Sequence, residues 1–292
     1  MKLNFNLRIT LLSFAFLFLL GTIYSCSTED TKSDDITYQK KAVQDLAFAQ
    51  TLFRDLFRTT YKIATTNYLA DSLPCDLDSG ILSKITNGYA LTYPAKGIRC
   101  PDGKLRAGSL YILPEINEGD SVIILQLRPE KDYTVQGHKV SGDITLFVSV
   151  NNGKPDVLNY KVQSAVIELN RTYSPEIRYN ANLSFIRATG EETPLIFNDD
   201  SFLVYGDESG NSQQHDPFLV TMTDTATLYP NNRYLQDGAA SIILTGFSVD
   251  RVTFSYPKKG ETAGTIKASV TKLNDDGSPL IYQSFPVTAD YY

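Results

Sequence analysis

Apolar and polar residues alternate with a period of two through most of the chain after Pro74. The alternating segments are rich in β-branched and aromatic residues, which is typical of strands that bury one face. Dipeptides that favour tight turns, such as Asn87-Gly88 and Asp237-Gly238, stand between them. Connections this short cannot cross between parallel strands, so we predict an antiparallel sheet of hairpins and meanders. The clearest segments cover residues 121–129, 143–150, 158–169, 176–186, 217–229, 239–247, 251–257 and 265–273.

The region before Pro74 has a different period. From Ile36 onward apolar residues recur at helical spacing, as at Val43 and Leu46, and no Gly or Pro interrupts the pattern. We therefore predict one long amphipathic α-helix over residues 36–72. Its wide apolar stripe favours packing on the chain's own sheet over a coiled coil or a partner-binding helix. The predicted fold is mainly β, with antiparallel hairpin and meander sheets, extended or sandwich-like, and one N-terminal α-helix packed on the sheet.

The β domain is predicted to cover residues 73–292, and a polar stretch from Gly190 to Pro217 is the candidate seam between two sub-domains. This stretch is acidic and could bind calcium, but it lacks the alternating ligands of a calcium loop, so a solvated loop is favoured. Its acidic residues are Asp199, Asp200, Asp207, Glu208 and Asp216.

The N-terminus has the three-part pattern of an export signal. Lys2 and Arg8 precede an apolar run from Ile9 to Leu20, and small or polar residues follow it. The run is shorter than the roughly 18 to 20 residues that span a bilayer, so a cleaved signal peptide over 1–25 is favoured over a transmembrane helix. Residues 26–35 are acidic and rich in hydroxyl groups, which predicts a flexible, solvated tether.

The sequence Ile-Tyr-Ser-Cys at the end of this signal, residues 23–26, resembles a bacterial lipobox. The resemblance implies cleavage before Cys26 and acyl chains on that cysteine, which would anchor the protein to a membrane. The alternative is an ordinary secretory signal that leaves a free thiol. The acidic stretch after Cys26 resembles the signal that sends lipoproteins of Bacteroidota to the outer face of the outer membrane. If the stretch is only a spacer, the protein faces the periplasm.

With Cys26 acylated, Cys75 and Cys100 form the only cysteine pair of an exported chain. We predict a disulfide between them, which would stabilise the fold by about 3 kcal/mol in the chain-entropy model. Two buried free thiols are the alternative. No metal or cofactor is predicted, because His138 and His215 do not give zinc-ligand spacing with these cysteines.

Two segments resemble a group of uncharacterised outer-membrane or surface lipoproteins of Bacteroidota. Residues 91–112 carry a pattern Cys-x-Asp-Gly-x-x-Arg-x-Gly, and residues 133–146 carry Val-x-Gly-x-Lys-Val-x-Gly. The resemblance implies a cell-envelope lipoprotein and brings no known activity. Its residues also have structural interpretations, since the glycines suit turns and Arg106 could pair with a carboxylate or line a ligand site. The matching residues are Cys100, Asp102, Gly103, Arg106, Gly108, Val135, Gly137, Lys139, Val140 and Gly142.

The charge and composition of the chain limit the classes of partner and activity that we expect. The chain has a formal charge of −6, and loss of Lys2 and Arg8 with the signal peptide leaves −8, so nucleic acid is not an expected partner. Neither His138 nor His215 lies near a nucleophile motif, and no catalytic residue is predicted. The expected partners are the membrane, through Cys26, and a glycan or another envelope protein. Eighteen tyrosines offer stacking faces for a glycan, although the chain has no tryptophan.

We therefore expect a lipid-anchored envelope lipoprotein that acts as a non-enzymatic binding or structural component at the outer membrane. The alternative is a lipid-anchored hydrolase that cleaves glycans with a pair of carboxylates. A deep cleft with two facing carboxylates would favour the hydrolase.

Overall fold

A computed structural model describes residues 36–65, 76–77, 80–100, 103–116, 122–151, 154–188, 201–229, 234–245, 251–262, 264–276 and 278–288. The predicted signal peptide, the tether and the lipidation site Cys26 lie outside these ranges, as does Cys75. Among the described residues, no helix combines the length and the apolar character that crossing a bilayer would require.

The described part of the chain is mainly β and forms one antiparallel sheet of seventeen strands. Most neighbours in the sheet are also neighbours in sequence, which makes the sheet a long meander, and the short β6, β12 and β13 attach locally. The strands are β1 Asp76–Leu77, β2 Gly80–Ile85, β3 Gly88–Arg99, β4 Leu105–Ile116, β5 Val122–Pro129, β6 Thr134–Val135, β7 His138–Asn151, β8 Lys154–Glu168, β9 Glu176–Arg187, β10 Phe202–Asn211, β11 Pro217–Asp224, β12 Ala226–Leu228, β13 Leu235–Gln236, β14 Ala239–Leu244, β15 Arg251–Ser255, β16 Thr265–Leu273 and β17 Pro279–Thr288.

The sheet has one apolar face and one polar face. In β9, for example, Tyr179, Leu183 and Phe185 are buried, whereas Asn180 and Asn182 between them are exposed. This follows from the geometry of a strand, in which successive side chains point to opposite faces. The buried side chains of the sheet and the helix belong to one continuous hydrophobic core.

The single described helix, α1, runs from Ile36 to Thr65 and is enclosed by the sheet. It contacts β5, β7, β8, β9 and β17, and from Ala42 to Tyr61 only Gln44 and Arg58 are not buried. Phe57 stacks on Phe185 of β9 with ring centroids 3.8 Å apart. The predicted packing of one N-terminal helix on an antiparallel sheet is therefore confirmed. The helix is buried on all sides, however, because the meander curves around it.

β10 was not expected, because its sequence is polar and contains two glycines. It occupies part of the stretch that the sequence suggested as a solvated loop, and it pairs along its length with β9. Gly206 has a φ of +139°, and a Cβ atom there would lie 2.2 Å from the carbonyl oxygen of Asn182. Glycine therefore permits a close backbone approach that other residues would prevent. The sheet continues from β9 through β10 to β11.

β17 was also missed by the periodicity. It contains Pro279 and Pro286, and in the described structure it pairs with β16 alone. Proline is tolerated in such an edge strand, because one side of the strand needs no ladder hydrogen bonds. The helix covers part of this edge, since the Gln44 side chain both donates to and accepts from the backbone of Thr288.

Candidate ligand groove

A groove of about 460 Å³ lies on the outer face of the sheet where β8, β9, β10 and β11 run side by side. It is open to solvent, and most of its side chains are polar. The residues that matter for its chemistry are Lys161, Gln163, Asn180, Asn182, Asp207 and Leu219.

Strand register places three of these residues in one row. Lys161 of β8 is directly opposite Asn182 of β9, and Asn182 is directly opposite Asp207 of β10. At roughly 4.8 Å per strand, the backbones of Lys161 and Asp207 lie about 10 Å apart in this row, with Asn182 between them. Lys161 places its Nζ atom 5.4 Å from the ring centroid of Phe147. Phe147 belongs to β7, on the side of β8 away from β9, so the ammonium group extends away from Asn182 and Asp207. Neither Asn182 nor Asp207 makes a side-chain hydrogen bond or an ion pair with another described residue.

A β-bulge forms one wall of the groove. The register between β8 and β9 shifts between Val162 and Ala165, and Ser164 within the bulge has a φ of +50°. The backbone N–H of Ser164 donates to Oδ1 of Asn180 over 2.8 Å, which holds the bulge against β9. Left-handed backbone at a residue other than glycine is uncommon and is concentrated at functional sites. Bulges likewise re-aim side chains beside such sites.

The groove is also lined by asparagine and aspartate, residue types that are rare in strands. Asn180, Asn182 and Asp207 all lie within regular strands, although Asn and Asp generally disfavour strands. Local preferences that conflict with the fold are expected where a side chain serves function rather than stability. The two asparagines separated by one residue were the available sequence signal. Sequence reasoning missed them because it could not show that β10 lies beside β9.

Apolar side chains border the groove. Leu219 and Ile243 face each other across β11 and β14 and are 48% and 54% exposed. Tyr205 is 43% exposed and lies two residues before Asp207 on the same face of β10. In a strand this separation is about 7 Å. The outer face thus offers an aromatic ring on one side of the Asn182–Asp207 pair and aliphatic groups on the other.

Beneath the groove, on the inner face of β10, Glu208 takes part in a buried polar cluster with helix α1. Gln50 donates from Nε2 to Oε2 of Glu208 over 2.5 Å, and the hydroxyl of Tyr179 also donates to this carboxylate. Arg54 donates from Nε to the carbonyl oxygen of Gln50 over 2.8 Å. Burial raises the pKa of Glu208 above its ordinary value, while the bond from Gln50 and the charge of Arg54 partly oppose this shift. These bonds tie β9 and β10 to the helix.

A second buried polar cluster lies further along the helix. Lys104 and Asp55 form an ion pair in which both side chains are less than one-tenth exposed. Arg106 is buried beside Tyr133, whose pKa is raised by burial despite the nearby guanidinium charge. Arg106 lies on the inner side of the sheet, a position that suits the structural role favoured by the sequence over the alternative of a ligand site. Gly108, in the same motif, has a φ of +81°, and a Cβ atom there would lie 2.3 Å from the carbonyl oxygen of Asp132.

The remaining predicted residues do not assemble into a common site. Cys100 is buried, with its Sγ 3.8 Å from the carbonyl oxygen of Ile98. Its disulfide with Cys75 stays a prediction, because Cys75 lies outside the described residues, as Cys26 does.

The histidines occupy separate environments. His138 begins β7 and is buried, and its Nδ1 accepts a hydrogen bond of 2.9 Å from the backbone N–H of Asn170. Burial lowers the pKa of His138, and the charge of Arg171 lowers it further. His215 is exposed in the turn after β10, next to the buried Asp216. Within the ranges that the structure describes, no three His, Cys, Asp or Glu side chains are arranged to hold a metal ion.

The chain matches no known protein-family model, no curated protein and no solved structure.

Proposed function

We propose that this protein is a lipid-anchored lipoprotein of the cell envelope, held at the outer membrane through Cys26, and that it binds a ligand without catalysing a reaction. The lipobox-like sequence, the acidic tether and the resemblance of residues 91–112 and 133–146 to surface lipoproteins support the location. The binding surface is the groove on β8 to β11.

The observation that carries the binding proposal is the pair Asn182 and Asp207. Both side chains are exposed in the groove and make no hydrogen bond with another described residue. They stand beside a strained bulge at Ser164 and above the Glu208 cluster, which ties the strands to the helix. A rigid scaffold that presents polar groups without internal partners suits ligand recognition, since little ordering is needed on binding.

The alternative function, a hydrolase acting on glycans, has less support in this groove. Its mechanism needs two carboxyl groups facing each other, about 5 Å apart for retention of configuration or up to about 9.5 Å for inversion. Asp207 and Glu208 are consecutive in β10, so their side chains lie on opposite faces of the sheet, and Glu208 is buried. Among the residues that the structure describes, Asp207 is thus the one carboxylate side chain that lines this groove on the outer face.

The anchor is tested by replacing Cys26 with serine in the producing cell and fractionating the membranes. We expect the wild-type protein in the membrane fraction and the Cys26→Ser protein outside it, because the acyl chains are lost. Retention of Cys26→Ser in the membrane fraction would contradict the lipoprotein assignment.

Binding is tested on the chain from Ser27 onward, which keeps every described residue. We expect at least one class in a panel of neutral saccharides, acidic saccharides, peptides and nucleotides to raise the melting temperature of the wild type. A ligand at 100 times its Kd stabilises by about 2.7 kcal/mol, which is readily measured. The double variant Asn182→Ala/Asp207→Ala should lose this shift. If no class stabilises the wild type, the binding proposal is wrong.

A further inference from the structure

We infer that the groove recognises a segment of a neutral oligosaccharide chain. This inference rests on the proposed binding function and names the chemical class of its ligand. Four features of the outer face support it: the mix of hydrogen-bonding groups, the balance of charge, the exposed ring of Tyr205 and the open shape of the groove.

The hydrogen-bonding groups of the groove match hydroxyl groups. Asp207 accepts hydrogen bonds, Lys161 donates them, and the amide of Asn182 between them does both. A hydroxyl is both donor and acceptor, so a sugar hydroxyl can bind to Asp207 and Asn182 on adjacent strands, and hydroxyls further along a chain can reach Lys161. Asn182 and Asp207 do not use these groups within the described structure, and they are therefore available.

The charge of the row argues against ionic ligands. Lys161 and Asp207 carry opposite charges, and Asn182 between them carries none. A phosphate-rich or polyanionic chain bound at Asn182 and Asp207 would be repelled by the carboxylate, and Lys161 would offset little of this repulsion because its Nζ lies over Phe147. A neutral ligand meets no such repulsion at either end of the row.

Tyr205 adds an apolar surface at the correct place for a sugar ring. Its ring is 43% exposed, and its hydroxyl makes no hydrogen bond with another described residue. Sugar rings have an apolar C–H face and a polar rim, and a tyrosine offers an apolar face with a polar tip. A ring packed on Tyr205 would place its rim about 7 Å along β10, at Asp207.

The shape of the groove favours a chain segment over a small isolated ligand. Sites for small molecules bury 70–90% of the ligand within a concave pocket. This groove lies on the outer face of a sheet and is open to solvent, so it covers one side of its ligand. A chain can pass across such a groove and continue beyond it.

The inference is tested with an array that carries neutral gluco-, manno- and galacto-oligosaccharides beside uronic-acid and sulfated chains, followed by calorimetry on the bound compound. We expect binding to at least one neutral chain and none to its acidic counterparts. Asn182→Ala and Tyr205→Ala should each weaken binding by at least tenfold, and Asp207→Asn by about fivefold. The matched control is Tyr173→Ala, which removes a tyrosine that is 97% exposed in the turn between β8 and β9. Its affinity should stay within twofold of wild type.

The outcomes separate the two proposals. A wild-type chain that binds no neutral saccharide but is stabilised by peptides or acidic chains overturns the ligand class and leaves the binding function in place. A chain that responds to none of the tested classes overturns both. Neutral-saccharide binding that is unchanged in both Asn182→Ala and Tyr205→Ala overturns the assignment to this groove, because these exposed residues can be replaced without disturbing the core.

Discussion

Asp207 and Glu208 are adjacent acidic residues with opposite roles in this molecule. Asp207 points outward into the groove and has no hydrogen-bonding partner among the described residues. Glu208 points inward, is 3% exposed, and accepts hydrogen bonds from Gln50 and Tyr179. The alternation of side chains along a strand is enough to separate the two environments. The comparison shows that the same chemical group serves the fold on one face and is free to bind on the other.

The same contrast holds for the two polar regions as a whole. Buried polar residues of helix α1, such as Asp45, Gln50 and Asp55, reach partners on other segments. Buried groups need such partners because an unmet hydrogen bond or charge inside the core costs stability. On the outer face water satisfies the polar groups, so no such requirement fixes Asn182 or Asp207.

We expect the largest change in the free energy of unfolding when the buried ion pair of Lys104 and Asp55 is broken. Replacing Lys104 with alanine leaves the carboxylate of Asp55 buried without its ammonium partner, and we expect a loss of about 3–5 kcal/mol in the free energy of unfolding. Urea denaturation of both proteins measures it. The matched control is Lys139→Ala, which breaks an exposed ion pair with Glu168 of 3.1 Å and should cost less than about 1 kcal/mol. Equal losses in the two variants would refute the distinction between the inner and outer regions.

We expect a smaller, pH-dependent change in stability when Glu208 is replaced. Its pKa is raised in the folded state, so the folded protein holds this proton more tightly than the unfolded chain does. Its contribution to stability therefore falls as the pH rises from about 4.5 through the raised pKa, because the buried carboxylate becomes charged.

The variant Glu208→Gln stays neutral and avoids this loss. We expect the melting temperature of Glu208→Gln, relative to wild type, to increase between pH 4 and pH 7. A difference that is constant over this range, or that decreases, would show that Glu208 is not held in the neutral form by burial.

The smallest effect on stability is expected at Asp207. Asp207→Asn removes an exposed charge without a hydrogen-bonding partner, so the free energy of unfolding should change by no more than about 0.5 kcal/mol. Urea denaturation provides the measurement, and the saccharide affinity of the same preparation should fall. A loss of more than about 1 kcal/mol would mean that Asp207 supports the fold, against its assignment as a binding residue.

Much of the fold could be predicted from periodicity. The helical spacing from Ile36 identified helix α1, and alternation identified strands such as β8, β9 and β16. Periodicity did not identify β10, because its inward positions include Gly206 and Glu208, and these residue types do not indicate a buried face. Both residues are explained by the tertiary structure. Gly206 allows a close backbone contact with β9, and Glu208 accepts a hydrogen bond from Gln50, which lies more than 150 residues earlier in the chain.

The groove was less accessible to sequence reasoning than the fold. The alternation in β9 places Asn180 and Asn182 on the polar face, but a polar face alone is the ordinary outer surface of a sheet. Only the register of β8, β9 and β10 shows that Lys161, Asn182 and Asp207 form one row. Strand neighbours depend on long-range pairing, which no local pattern records.

The sequence by itself determined the helix and most of the strands, and which side of those strands is apolar, because these properties follow from local periodicity and propensity. It also supplied the expectation of a lipid anchor at Cys26. The tertiary structure decided that the sheet curves around the helix, so that polar helix residues are buried with partners from distant strands. It also decided that Asp207 joins Asn182 in an open groove while Glu208 binds Gln50 inside, since that outcome depends on which strands lie side by side.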